Sequence, residues 1–366
     1  MKNKRLLSII MPLMIPFILL TLPAIQGCNN TLSGQLAVYV WEGYLPEDVA
    51  TLFEKETGIK LDITLISDSE EMLTLLKGGG KADIIMPTDS KINLFYESDV
   101  VQPLNLNKIK NYEKVFDSLR EQPWAKWDGR NTGSGALYAV PYVFGTSGLV
   151  INTYQYKKSL DNIGWEVLFD PDLKGRVTSD NGIFSVFLIL DMLGIPRENF
   201  VTDPQGTLMQ IRGKTVELKN NVLKFWDTYS EILDLMQNEE VWVGTIADGL
   251  GRKLYQSDPK FKYILPKEGG LGWTDALMIP KNAANLSGAN LFINFMLKPD
   301  NAAKVIEQSG FNTAVNGALE LTENIDTDLY RYTDEEMSNF KWSPGLSENI
   351  MSIYYQFWEE LSTVQK

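Results

Sequence analysis

Gln35-Leu36-Ala37-Val38-Tyr39-Val40-Trp41 is rich in Val and aromatic residues and reads as a β-strand, and the segments that follow it alternate in period. Pro46 to Thr57 carries Val49, Leu52 and Phe53 at helical spacing, with a proline at its start and Gly58 at its end. Lys60 to Ile66 reads as a second strand and Ser69 to Lys77 as a helix stopped by Gly78-Gly79-Gly80. Ala82 to Met86 reads as a buried strand ended by Pro87. The order βαβαβ predicts an α/β fold with a mostly parallel sheet covered on both faces.

A second series begins after Tyr138 to Asn152, where two apolar runs flank Phe144-Gly145-Thr146-Ser147-Gly148. Arg176 to Thr178 is expected to be a short strand, Ile183 to Leu193 a helix, Thr215 to Gln237 one or two helices, and Val241 to Ile246 and Phe261 to Leu265 strands. The chain then crosses back through a strand at Ala276 to Ile279, followed by helices at Ala283 to Leu297, Asn301 to Gln308 and Gly345 to Leu361. Two α/β lobes joined by extended crossings near 140–150 and 270–280 account for the absence of a linker: residues 35–143 with 276–322, and 144–275 with 323–366.

The 366 residues include 34 Lys plus Arg, 47 Asp plus Glu, one Cys and no His. Without His there is no Ser-His-Asp or Cys-His catalysis, no HExxH zinc site and no histidine proton switch. One Cys excludes an internal disulfide and Cys-rich metal sites, and no cofactor or metal is expected. Lys2, Lys4 and Arg5 precede an apolar run from Leu6 to Leu20 that is short for a membrane span, so residues 1–27 read as an export signal. Ile25-Gln26-Gly27-Cys28 resembles a bacterial lipobox, which implies a lipidated Cys28, a tether over 28–34 and a protein held in the periplasm or at the outer face of the cytoplasmic membrane; the alternative is a plain secreted protein. Removing residues 1–27 takes away three cations and no acid, so the net charge goes from −13 to −16. That surface disfavours nucleic acid and favours cationic solutes.

Ligands of open α/β sheets bind beyond the carboxyl ends of the strands. Those positions hold Trp41, Glu42, Gly43 and Tyr44, then Thr88 and Asp89, Asp180 and Asn181, and Asp248, while Trp273 and Asp275 lie around the return crossing. Aromatic faces and carboxylates together suit an alkylammonium ligand. Each has a structural alternative: Trp41 as core packing, Asp89, Asp180 and Asp248 as helix caps, and Gly43 as a turn. Gly269-Gly270 and Gly272 predict an exposed turn before Trp273.

Val40-Trp41-Glu42-Gly43-Tyr44-Leu45-Pro46, Glu54-Lys55-Glu56-Thr57-Gly58-Ile59-Lys60, Tyr138-Ala139-Val140-Pro141-Tyr142, Asp172-Leu173-Lys174-Gly175 and Pro266-Lys267-Glu268-Gly269-Gly270-Leu271-Gly272-Trp273-Thr274-Asp275 resemble, in order, the bacterial spermidine/putrescine-binding proteins of ABC importers. The resemblance runs from about Leu36 to Phe311, and its narrowest part is the segment ending in Trp-x-Asp. It implies a two-lobed, type II-like periplasmic binding protein with a hinge and an interlobe cleft, no enzymatic activity, and a monomer that hands a polyamine to a membrane permease and ATPase. Position by position it implies Trp41 and Tyr44 as cleft aromatics, Thr88 as a hydroxyl contact, Trp273 as a stacking ring, Asp275 as the carboxylate on an ammonium, and an acid at Asp180 or an amide at Asn181.

Four positions depart from the family: Phe184 stands where a second acid is frequent, Ala247 where a further Trp is frequent, Ser90 where an aromatic is common and Phe311 where Tyr is common. Fewer acids favour fewer buried ligand charges, so putrescine, or a triamine with one end left in solvent, is expected to bind at least as well as fully enclosed spermidine, unless the compensating acids Asp89, Asp180 and Asp248 converge on the cleft and reverse the preference. Other readings are a same-fold lipoprotein for another solute, a glycosidase using paired acids such as Glu239-Glu240 or Glu335-Glu336, and a ligand sensor without transport. Adjacent side chains diverge on a helix or strand, which favours a solvated face for those glutamate pairs.

Overall fold

The computed structural model describes residues 34–129, 134–332 and 339–363; the export signal 1–27, Cys28 with all of its tether but Gly34, and Glu335-Glu336 lie outside the described residues. The described residues form thirteen strands: β1 (Gly34–Trp41), β2 (Ile59–Ile66), β3 (Val101–Gln102), β4 (Lys126–Trp127), β5 (Ala136–Leu137), β6 (Ala139–Asn152), β7 (Val177–Asp180), β8 (Val222–Trp226), β9 (Val243–Ala247), β10 (Phe261–Ile264), β11 (Leu271–Pro280), β12 (Asn312–Thr313) and β13 (Lys341–Trp342).

The N-terminal unit forms largely as its periodicity requires. β1 and β2 pair in parallel from Gly34 opposite Ile59 to Trp41 opposite Ile66. The connecting helix Glu47–Thr57 has acids Glu47 and Asp48 in its first turn, where they complement the helix dipole, and ends at Gly58, whose φ of 74° is open to glycine at little steric cost. It buries Phe53 edge-on to Phe292 and Phe295, with ring centres 5.3 Å apart in both cases. Ala82–Met86 is buried but is not a ladder strand: it makes only bridges, parallel from Ile84 to Val38 and antiparallel from Ile85 to Met278. Asp83 explains this, because its carboxylate accepts from Ala37 N at 2.9 Å and Asn285 N at 2.7 Å and takes over the polar satisfaction that a ladder would supply.

The expectation of a mostly parallel sheet is corrected. The large sheet runs in the order β13-β11-β6-β9-β7-β8, with β3 on β11 and β10 and β12 on β6. β6 pairs antiparallel with β9, β10, β11 and β12, and only the β7–β8, β7–β9 and β11–β13 pairs of this sheet are parallel. β6 and β11 are the two long strands through its middle, and their register shifts between Asp275 and Ala276. Such a bulge bends and re-aims a strand, here at the carboxylate that the site is built on.

Two further expectations are overturned. The stretch expected to be helical from Thr215 to Gln237 is a helix Pro204–Asn221, the strand β8 and a helix Tyr229–Gln237. Leu218, Val222, Phe225 and Trp226 are spaced as on a helix face, but Val222, Phe225 and Trp226 pair with β7 instead, and that pairing outweighs local propensity. The glycines before Trp273 are not an exposed turn. Gly269 turns the chain at φ 98°, while Gly270 and Gly272 are buried. A Cβ at Gly272 would stand 2.9 Å from the Trp342 ring, so this glycine serves close packing.

Candidate ligand-binding site

Asp275 lies at the β11 bulge and is only 4% exposed. Its two carboxylate oxygens accept from the Tyr44 hydroxyl at 2.7 Å and from Thr88 Oγ1 at 2.6 Å. Those donors come from the ends of the first and third segments of the N-terminal unit, and a backbone bridge between Thr88 and Asp275 holds them in place. Burial pushes the carboxyl up to about 6, against the pull of the two hydroxyls. A carboxylate raised by desolvation, with no cation bonded to it among the described residues, is a place where a ligand ammonium is favoured.

Aromatic rings surround it. Phe311 meets Trp273 edge-on at 5.3 Å and Tyr44 at 6.0 Å, and Tyr44 meets Tyr142 at 6.4 Å. The Tyr142 hydroxyl donates to Tyr44 O at 2.6 Å, which fixes the loop carrying Tyr44. Half-buried Trp41 donates its indole N–H to Met86 O at 2.6 Å, beside the strand end that leads to Thr88. Gly145, opposite Trp273 in the β6–β11 ladder, supplies the clearance: a Cβ there would fall 2.6 Å from the Trp273 ring and 2.5 Å from Asp248 Oδ1.

The three remaining acids are held differently. Asp89 is fully buried, and its oxygens accept from Ser90 N at 2.7 Å and Thr274 N at 3.2 Å, so it braces the backbone between Trp273 and Asp275. Burial, then the neighbouring Asp275, raises its carboxyl well above the usual range. Asp248 opens the helix Asp248–Ser257 and forms a buried ion pair with Arg252 at 2.7 Å. The Tyr332 hydroxyl donates to the same carboxylate and also meets Thr146 Oγ1 at 2.9 Å. Arg252 further donates to Gly310 O at 3.1 Å and Leu329 O at 2.7 Å. Asp180, at the end of β7, accepts from Gly182 N at 2.7 Å, and burial pushes its carboxyl up to about 7. Its neighbour Asn181 instead bonds Asp227 and the Trp358 indole.

Of the departures, Ser90 is buried with its carbonyl accepting from Leu346 N at 3.1 Å, and Phe184 leans on Phe187 at 6.4 Å. From the sequence Arg252 stands out only as a cation near the strand ends, without its pairing to Asp248, and Tyr332 and Tyr229 do not stand out at all. Arg252 lies one helical turn after Asp248, a spacing that signals the pair. Tyr229 follows β8, the strand hidden in a helical pattern, and its ring approaches Phe311 at 6.5 Å and Trp226 at 6.4 Å.

The buried acid and its rings, built on the middle of β11 in a large mixed sheet, belong to a bacterial extracellular solute-binding protein: the profile of that family matches residues 48–330. Within that class, the chain belongs to the spermidine/putrescine-binding family. It is 30% identical over 339 residues to the spermidine/putrescine-binding periplasmic protein of Escherichia coli K12, covering 90% of this chain and 91% of that protein. It is 27% identical over 361 residues to the putrescine-binding periplasmic protein SpuD of Pseudomonas aeruginosa, covering 92% and 94%. The fold is similar to the spermidine/putrescine ABC transporter substrate-binding protein PotD of Streptococcus pneumoniae, with a TM-score of 0.75, 27% identity and coverage of 91% and 100%.

Proposed function

We propose that the protein is the polyamine-binding component of an ABC importer, taking putrescine or spermidine between two lobes and delivering it to permease and ATPase subunits. The observation that carries this reading is Asp275, a buried carboxylate held by Tyr44 and Thr88, with the Tyr44 ring joined through Phe311 to Trp273. The lobes comprise residues 35–143 with 276–322 and residues 144–275 with 323–366, with β6 and β11 as the hinge between them. Trp41, Tyr44, Thr88, Trp273, Asp275 and Phe311 form the anchoring half. Asp180 supplies the second acid, Asp89 acts through backbone support, and Asp248 is already neutralised by Arg252.

Two acids without an ion-pair partner among the described residues, Asp275 and Asp180, suit two ammonium groups, although Lys91 lies in the field of Asp180. Putrescine is therefore expected to compete with spermidine at equal or better affinity in equilibrium titration, and Asp180→Asn to weaken both. Spermidine winning by more than about tenfold, roughly 1.4 kcal/mol, with Asp180→Asn unchanged, would place the second ammonium elsewhere. Failure of every polyamine to bind would overturn the reading itself.

The ionisation of Asp275 sets a pH dependence. Its folded value of about 6 exceeds the ordinary 3.8, so the unliganded fold is favoured in the protonated form: this stabilisation is complete below about pH 4 and lost as pH rises through 6. The ligand requires the carboxylate, so affinity moves the opposite way. Putrescine is expected to bind at least about tenfold more weakly at pH 5 than at pH 8, and Asp275→Asn should flatten that component of the profile in calorimetry at constant ionic strength.

Cys28 carries the membrane anchor in this reading, since one acyl chain binds only marginally and a diacylated cysteine holds firmly. Cys28→Ser is expected to move the protein from the membrane fraction to the soluble fraction. A variant that sediments like the wild type would remove the anchor assignment.

A further inference from the structure

Tyr229 opens the helix Tyr229–Gln237, whose N-cap Thr228 accepts from Glu231 N. The helix buries Ile232, Leu235 and Met236. Tyr229 stands one turn before Ile232, so its ring lies on the same side of the helix as that buried stripe, at its N-terminal end. The residue is 44% exposed, unlike the rings it approaches: Phe311 is 3% exposed and Trp226 7%. Among the described residues no protein group bonds its hydroxyl, whereas the hydroxyls of Tyr44, Tyr142 and Tyr332 are all bonded within the protein. Through Phe311 its ring joins the set formed by Trp273 and Tyr44, the latter bonded to Asp275. Its hydroxyl lies in the field of Asp275, Asp180 and Asp248, which together with desolvation raises its ionisation above the usual tyrosine range.

We infer that Tyr229 is a ligand-covering, specificity-determining ring, packing on the methylenes and facing the ammonium groups of a diamine held between Asp275 and Asp180. This rests on the polyamine reading above. It also accounts for Ala247, which ends β9 directly before Asp248 and leaves a further ring to come from elsewhere. Tyr229 comes from the end of β8, on the far side of β7 from β9. A partly exposed ring with an unbonded hydroxyl among carboxylates has little to stabilise in the fold alone, and a cation against its face gains what a core contact would not.

The test is calorimetric titration of the purified mature protein with putrescine, using Tyr229→Ala, Tyr229→Phe and Asp275→Asn, with thermal melts of each unliganded variant. Tyr229→Ala is expected to bind about tenfold more weakly, and Tyr229→Phe to stay within about threefold of the wild type because the ring face remains. The unliganded melting midpoint of Tyr229→Ala should stay near that of the wild type, since a residue supporting only the fold would move the midpoint and not the affinity. If Tyr229→Ala is poorly folded, Tyr229→Leu, which keeps bulk without a ring, takes its place with the same expected loss. Wild-type affinity in Tyr229→Ala or Tyr229→Leu, while Asp275→Asn loses binding, overturns the inference and leaves the polyamine reading standing. A wild-type protein that binds no polyamine overturns both.

Discussion

Asp275→Asn is expected to weaken polyamine binding by about 2–5 kcal/mol, roughly 30- to several-thousand-fold. An alkylammonium entering the site sheds its hydration and recovers it only from acceptor oxygens, and a site this desolvated magnifies the loss of the opposing charge. Asparagine preserves size and one acceptor oxygen. It also turns an amide N–H₂ toward either Tyr44 or Thr88, both of which now donate to the carboxylate, so one of them must reorient. Trp273→Ala is the contrast: it keeps the charge and removes a ring, for which about 0.5–2 kcal/mol of cation–π contact is expected. Calorimetry that gave Asp275→Asn wild-type affinity for each polyamine bound would show that the anchoring carboxylate lies elsewhere.

Asp191→Ala is expected to lower folding stability by about 3–5 kcal/mol, because it leaves a buried guanidinium without its counter-charge. Arg197 and Asp191 have side chains only 7% and 6% exposed and meet at 2.6 Å, with a second contact from Arg197 Nε at 3.2 Å. The same guanidinium donates to Lys341 O at 2.7 Å and Trp342 O at 3.0 Å, and lies 4.9 Å from the Phe187 ring centre. It therefore fastens β13, and with it the Trp342 ring that packs on Gly272 of β11, two residues before Thr274. Urea denaturation should show a lower midpoint at unchanged slope. A loss below about 1 kcal/mol would mean that the carbonyls and the ring hold Arg197 without help. Polyamine binding at temperatures where the variant is folded should stay close to wild type, since neither residue touches the site.

Much of the candidate site was legible because its residues follow segments whose pattern is local. Trp41, Tyr44 and Thr88 follow segments with clear β periodicity and proline or glycine punctuation, and the Trp-x-Asp segment is specific enough to name a family. Tyr229 was hidden for the opposite reason. β8 has apolar residues at Val222, Phe225 and Trp226, a spacing that continues the preceding helix face, and only its pairing with β7 makes it a strand. Glycines misled in the same way: near Trp273 they mark ring-on-backbone packing, which a one-dimensional pattern does not separate from a turn.

Local chemistry settled the strand and helix order up to Lys77, the helix ends at Gly58 and Gly78, and the acids and rings available near segment ends. Periodicity and capping act within a few residues, so they survive in the bare chain. Tertiary structure alone decided which of those acids keeps a charge to offer. Asp275 faces Tyr44 and Thr88, which lie 231 and 187 residues away, and Asp89 is taken by a backbone N–H 185 residues away. Asp248 is neutralised by its own helix and by Tyr332, 84 residues on. The availability of a carboxylate depends on burial and on every donor within about 3 Å, and for Asp275 those donors come from segments far away in the sequence, whereas Asp248 meets Arg252 within its own helix.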